Sequence, residues 1–383
     1  MIQSTKKNIP HFVRTPLKFL LSRKAREKYF AEAGIRKIQN ANIARHNKDA
    51  KKLIIFCVPG PDRSSGKEKI SGGIISIVSI CEESARLQTA LGAEVLMCTL
   101  PNEDLLLRHR QFANSTDVFR FAQLKHYFSA PSEILLHLPE FTCDYFLEYL
   151  PEADRKWLLK AVRLHINILN QNVRLMPGRE VIEKLEKLAT IVTTTTAHQK
   201  YCTPHFRQVY GIPIHKLSVW ISPEQYTRKP YDQKNNLMVV SPDQHPAKDR
   251  ILALLQSIPG LTIQIIRNLT YEQYKSTIAT AKWSLTFGEG LDGYFIEPIF
   301  SGAVSFAVYN QEFFTEDYKD LPGVFGSFEQ MEQQLVSTIA AFDRPDKFAA
   351  VQQQQFDVCA THYNQEVYRQ NILKFYEGQY TYN

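Results

Sequence analysis

The sequence predicts an α/β protein of two successive domains, each a parallel sheet flanked by helices. Three observations predict it. Short apolar runs of strand-forming residues alternate with longer segments of helical periodicity. Turn residues, chiefly Gly, Pro and Asn, punctuate the alternation. The length of 383 residues exceeds one ordinary core and favours two domains.

The first strand is predicted at residues 53–58, an apolar run closed by Pro59-Gly60-Pro61. A polar loop over 62–70 leads to Ser71-Gly72-Gly73 and a helix over 74–91. Gly92-Ala93 ends that helix, and residues 94–99 read as the second strand. Strand, glycine-containing loop, helix, strand is a βαβ unit. In such a unit the glycines admit a ligand and the helix N-terminus offers free N–H groups to an anion. Further strands are predicted at 134–138, 164–169 and 191–194, then a helix over 201–210 stopped by Gly211-Ile212-Pro213. His165 falls inside an apolar strand and reads as a core histidine.

The second half restarts the alternation. Strands are predicted at 237–240, 262–266, 283–286 and 303–307. Helices are predicted at 248–256 and 271–280, with another opening near Tyr294. Helices over 328–339 and 348–376 close the chain, and the turn-rich stretch 221–236 separates the halves. The expected division is a basic helical extension over 1–50, a first domain over 51–222, a second over 223–360, and a C-terminal helix over 361–383 packing back on the first.

Hydrophobic residues make up 44% and charged residues 22%, which fits a globular chain and not a disordered one. No uninterrupted apolar run is long enough to cross a bilayer. Near the N-terminus, apolar pieces such as Phe19-Leu20-Leu21 are broken by Lys and Arg, unlike a secretory signal. The six cysteines are scattered, with no Cys-x-x-Cys pair. They read as reduced, packed thiols of a cytoplasmic protein, neither a zinc site nor a disulfide framework.

Charge is unevenly placed. Residues 1–52 hold 14 Lys or Arg against 3 Asp or Glu, whereas the whole chain is only +7, so the remainder is net acidic. Basic residues interleaved with Phe12, Phe19, Tyr29 and Phe30 suit an anionic membrane surface. A solvated extension packing on the body fits the same residues, and both readings stand. No nucleic-acid-binding motif accompanies the charge, and nucleic acid is not an expected partner.

The stretch with most chemical content is Phe287 to Val308. Glu289 lies in a Gly-flanked loop after a strand, and Glu297 lies early in the next helix, five residues before Gly302. A loop carboxylate can accept bonds from sugar hydroxyls. A carboxylate near a helix start can hold a ribose while free helix N–H groups favour a diphosphate. Taken alone, the spacing also fits two ordinary polar residues near a helix start.

This stretch resembles the E-x7-E segment of the retaining, family-4-like glycosyltransferases, nearest to bacterial rhamnosyltransferase-like enzymes. It stands here as Glu289-Gly290-Leu291-Asp292-Gly293-Tyr294-Phe295-Ile296-Glu297. Leu291-Asp292 replaces the usual Phe-Gly, and Gly293-Tyr294 the usual Leu-Pro. Tyr210-Gly211-Ile212 and Val219-Trp220-Ile221-Ser222 look like the family's interdomain crossing.

The resemblance implies a GT-B fold, two Rossmann-like domains facing across a cleft. It implies sugar transfer from a nucleotide-diphosphate sugar to a glycan or lipid-linked acceptor in surface-polysaccharide synthesis, without metal or other cofactor; the sequence also lacks an Asp-x-Asp motif. It makes Glu289 and Lys248 the catalytic candidates. Glu297, Gly290, Gly293, Asp292 and Arg267 become donor-binding candidates, and Gly72 and Gly73 the diphosphate and acceptor loop. Glu140, Asn170, Gln171 and Asn172, at strand ends, become acceptor candidates. The family's diphosphate arginine is missing from the loop before Lys248, leaving Arg250, Arg267 or His245 to replace it. That gap keeps open a binding subunit without activity, and a nucleotide-sugar epimerase is a further alternative.

Overall fold

The computed structural model describes residues 23–61, 72–103, 105–106 and 116–383. Residues 1–22, with Phe12 and Phe19 of the basic extension, and the predicted loop over 62–70 lie outside them.

The first sheet has seven parallel strands in the order β3-β2-β1-β4-β5-β6-β7. They are β1 (Lys52–Val58), β2 (Glu94–Thr99), β3 (Val118–Arg120), β4 (Glu133–Pro139), β5 (Arg163–Asn170), β6 (Ile191–Thr196) and β7 (Ile214–Lys216). Helices cover both faces, so the central strands are buried on both sides and read as continuous apolar runs. The short edge strands β3 and β7 are additions to the expected set.

Helix α1 (Arg23–Ile43) docks at the β3 edge. Gln39 Nε2 donates to the carbonyls of Val118 at 2.7 Å and Leu106 at 3.0 Å. Gln39, Asn42 and Ile43 are buried, while Tyr29, Phe30 and Ile38 are exposed. The extension thus packs by its C-terminal end.

Helix α2 (Gly72–Arg86) begins at the glycines themselves, which belong to its first turn and not to a preceding loop. A polar seam crosses the sheet centre. Asn167 bonds to His137 and Thr195, and His165 Nε2 lies 2.7 Å from the Thr193 hydroxyl. His165 is therefore a partnered core residue. All six cysteines are buried and unbridged.

The second sheet, also parallel, runs β12-β11-β10-β8-β9. Its strands are β8 (Asn235–Val240), β9 (Thr262–Ile265), β10 (Ala281–Leu285), β11 (Val304–Val308) and β12 (Val324–Phe325). Between them run α3 (Lys248–Gln256), α4 (Tyr271–Thr280) and α5 (Gly293–Phe300). Thr270 and Gln273 form a capping box that fixes the start of α4.

The predicted helix over 348–376 is two helices, α6 (Pro345–His362) and α7 (Gln365–Tyr376). The break is capped by Asn364, whose side chain accepts from the Val367 N–H. It lets the chain leave the second sheet, where α6 packs on β11, and reach the first, where α7 meets α2. The Tyr376 hydroxyl lies 2.6 Å from Ser84 Oγ, and Arg369 bonds to Glu83 at 3.1 Å. Phe375 sits among the rings of His137, His165 and His215.

Among the described residues no helix is long and apolar enough to cross a membrane.

Candidate functional site

A cavity of about 620 Å³ lies between the C-terminal ends of the two sheets. The first domain contributes Gly72, Gly73, Glu140, Phe141, Gln171, Asn172, Leu175 and His198. The second contributes Asp243, Tyr271, Tyr274, Gly288, Glu289, Asp292, Gly293 and Glu297. Ligands of open α/β sheets gather at these strand ends.

Glu289 and Glu297 both line it. The loop after β10 carries Glu289, and Asn172 Nδ2 of the first domain donates to its Oε1 at 3.3 Å. Burial raises the Glu289 carboxyl above its ordinary range, and the nearby Asp243 adds to the rise.

Glu297 is the fifth residue of α5 and is only 5% exposed. Tyr271 donates to its Oε2 at 3.0 Å, and the Tyr226 hydroxyl, 2.9 Å from that of Tyr271, also bonds to it. Burial pushes this carboxyl up to about 7 against those two bonds. Its Oε1 lies over Gly293, where a Cβ would come within 2.5 Å of it. Gly293 in place of the more usual leucine is what leaves room for this carboxylate.

Asp292 has a structural duty. It caps α5, accepting from the Phe295 N–H at 3.1 Å and from Thr286 Oγ1 at 2.7 Å. It still borders the cavity, and burial lifts its carboxyl to about 7. Gly290 faces away: it takes φ +86°, and a Cβ there would strike the Phe314 ring and the Val308 carbonyl. The turn requires it, and it is not on the cavity wall.

Lys248 departs from its expected role. Its Nζ donates to the carbonyls of Ser241 at 2.7 Å and Asp243 at 2.6 Å, and it does not line the cavity. It ties down the loop between β8 and α3. Arg250 is paired with Glu332 at 2.9 Å, and His245 is stacked on Phe328. Of the three candidate replacements for the missing arginine, only Arg267 is exposed with no ion-pair partner among the described residues. It is close enough to Lys248 to help depress the pKa of that ammonium, after burial.

On the first domain, Gln171 Nε2 donates to the Gly73 carbonyl at 3.0 Å, so the strand end and helix start brace each other. The Glu140 carboxyl is held by its own N–H and those of Gln171 and Asn172, yet burial lifts it to about 7. Asn170 is corrected: it is buried beside Tyr210 and does not reach the cavity.

Sequence reasoning missed His198, Asp243 and Tyr271. Asp243 stands in the loop before Lys248. His198 follows β6, and Tyr271 opens α4; only the fold turns them to one cavity. Among the described residues no Lys or Arg lines that cavity. No group of three or more potential metal ligands occurs among them either.

Comparison of whole folds decides the architecture. HepE from Anabaena, solved with UDP-glucose, superposes with a TM-score of 0.56 at 12% identity, covering 85% of this chain and 99% of that one. A glycosyltransferase from Rickettsia africae gives 0.56 at 11% identity, over 86% and 98%. Sucrose-phosphate synthase from Thermosynechococcus elongatus gives 0.55 at 11%, over 85% and 98%. The chain has the GT-B fold. Its neighbours in structure are GT-B glycosyltransferases. No family model matches the sequence, and no curated protein does. In this GT-B chain the cavity is the cleft between the two Rossmann-like domains, with Glu289 and Glu297 on its second-domain wall.

Proposed function

We propose that this chain is a glycosyltransferase, moving a sugar from a nucleotide-diphosphate sugar to a glycan or lipid-linked acceptor. One observation carries the reading: two glutamates with seven residues between them, one on a loop and one on a helix, meet the same interdomain cavity of a GT-B fold. HepE, which shares that fold, was solved with UDP-glucose.

In the proposed reaction the second domain binds the donor and the first the acceptor. Glu289 holds the transferred sugar, and Glu297 holds the ribose through Oε1. The start of α2 offsets charge on the diphosphate as it leaves, and Arg267, next to the cavity-lining Ile266 though not itself on the wall, joins it. Closing the domains excludes water and aligns the acceptor hydroxyl. The E-x7-E resemblance supports retention of configuration, no metal requirement and a role in surface-polysaccharide synthesis. Exposed Tyr29, Phe30 and Ile38 beside the basic residues of α1 support attachment to an anionic membrane face.

A second reading has its own observation. The charged residues lining the described cavity are all acidic, and Lys248 is tied to main-chain carbonyls. A nucleotide-sugar-binding subunit without activity tolerates that; a transferase must compensate it.

Thermal shift with UDP, GDP, dTDP and CDP, on wild type and Glu297→Ala, tests the donor site. Stabilisation by one nucleotide, lost in the variant, is expected. No shift with any of the four would sink the transferase reading. Nucleotide binding without turnover on any acceptor favours the second.

A further inference from the structure

His198 follows the C-terminal end of β6 and lines the cavity from the first-domain side. Among the described residues its imidazole nitrogens have neither a hydrogen bond nor an ion pair. Its neighbours on that wall are engaged: Gln171 with the Gly73 carbonyl, Asn172 with Glu289, and Glu140 with main-chain N–H groups.

The ring is nevertheless fixed in place. It meets Tyr201 edge-on at 5.3 Å between centroids, and Phe313 of the second domain at 5.8 Å. Packing from both domains thus orients it without using either nitrogen. Burial, aided by Lys216, holds its pKa down to about 4, so at neutral pH one nitrogen donates and the other accepts. An ionised carboxylate only accepts. A sugar hydroxyl does both, and the neutral imidazole keeps both roles as pH rises, whereas the carboxyls of Glu140 and Glu297 lose their donor as they ionise.

We infer that His198 binds a hydroxyl of the acceptor sugar, as a specificity-determining residue on the acceptor side of the cavity. The inference rests on the transferase reading, and its test separates the two. Wild type, His198→Phe and His198→Gln are saturated with whichever nucleotide stabilises the protein. Each is then titrated with methyl glycosides of glucose, galactose, mannose and rhamnose, while the imidazole resonances and glycoside affinity are followed. Phe keeps the contacts with Tyr201 and Phe313; Gln restores a donor and an acceptor.

The expected result is a shift of the His198 resonances with at least one glycoside. Its affinity falls about tenfold in His198→Phe and recovers most of the way in His198→Gln, with the nucleotide-induced shift in melting temperature equal in all three. A glycoside that binds both variants as tightly as wild type overturns the inference, as does a panel in which none perturbs His198. Loss of nucleotide stabilisation in wild type itself is the separate failure of the transferase reading.

Discussion

Tyr271 donates its hydroxyl to Glu297 Oε2 at 3.0 Å, so a carboxylate assigned to ligand binding already has a partner within its own domain. The bond orients Glu297 and leaves Oε1 over Gly293. It does not fully offset burial, because the carboxyl still titrates near 7 and not near its ordinary 4.5.

The first prediction concerns stability. Below pH 4.5 Glu297 is protonated in both folded and unfolded chains, and its burial costs no ionisation energy. Between 4.5 and 7 the unfolded chain loses the proton that the folded one keeps, so stability falls as pH rises. Above 7 the full cost is present. Glu297→Gln keeps an acceptor for Tyr271 and removes the charge. It is expected to stabilise the fold above pH 7 by on the order of 1–3 kcal/mol, and by almost nothing below pH 4.5. Denaturation curves on either side of that window measure the difference; equal curves above pH 7 would contradict the burial argument.

Gly290 and Gly293 make a contrasting pair. Gly290→Ala forces a side chain into a left-handed backbone at φ +86°, 2.8 Å from the Val308 carbonyl. Its cost is to folding, by more than about 1 kcal/mol. Gly293→Ala has no such backbone conflict, but its Cβ would displace the Glu297 carboxylate. It is expected to melt near wild type and to lose nucleotide stabilisation. Melting curves with and without UDP distinguish the two, and the reverse pattern would refute the assignment.

Much of this was legible in the sequence. Strands buried on both faces announce themselves as apolar runs, and the run over 94–99 has the bounds of β2. The bounds of α3 and α4 also agree with the reading. The edge strands β3 and β7, three residues each, are too short to leave a periodic signal. The break at Asn364 is a cap inside a continuous helical pattern. The site was legible by position and not by direction. Spacing placed Lys248 at a helix start, but only the fold shows its ammonium turned to two carbonyls. Asn170 likewise sits at a strand end with its neighbours, yet points into the core. His198 and Tyr271 come from segments with no shared pattern.

The direction of Lys248 yields a third prediction. Lys248→Met leaves the Ser241 and Asp243 carbonyls without this donor, at a cost of about 1–3 kcal/mol. Arg267→Ala removes an exposed side chain with no ion pair among the described residues and should leave the stability within about 0.5 kcal/mol of wild type. Nucleotide affinity should respond in the opposite order, weakening more in Arg267→Ala if that arginine offsets the diphosphate. Isothermal titration with UDP beside urea denaturation measures both. Unchanged affinity in Arg267→Ala would leave the diphosphate without an arginine partner.

The last prediction concerns the contact between domains. Asn172 Nδ2 donates to Glu289 at 3.3 Å, and Arg174 on the same segment pairs with Glu312 of the second domain at 2.6 Å. Both links cross the cleft, and the first also occupies the carboxylate that a sugar would use. Asn172→Asp replaces the donor by a like charge, while Asn172→Ala only removes it. Repulsion beside a half-buried carboxylate should open the cleft in the Asp variant and lift the Glu289 pKa further. The Ala variant should free Glu289 with little change in shape, because it adds no like charge to the cleft. Small-angle scattering is expected to show a larger radius of gyration for Asn172→Asp alone. Sugar-nucleotide affinity should fall in the Asp variant and hold or rise in the Ala variant. A loss of equal size in both would mean that Asn172 contacts the ligand directly and does not compete with it for Glu289.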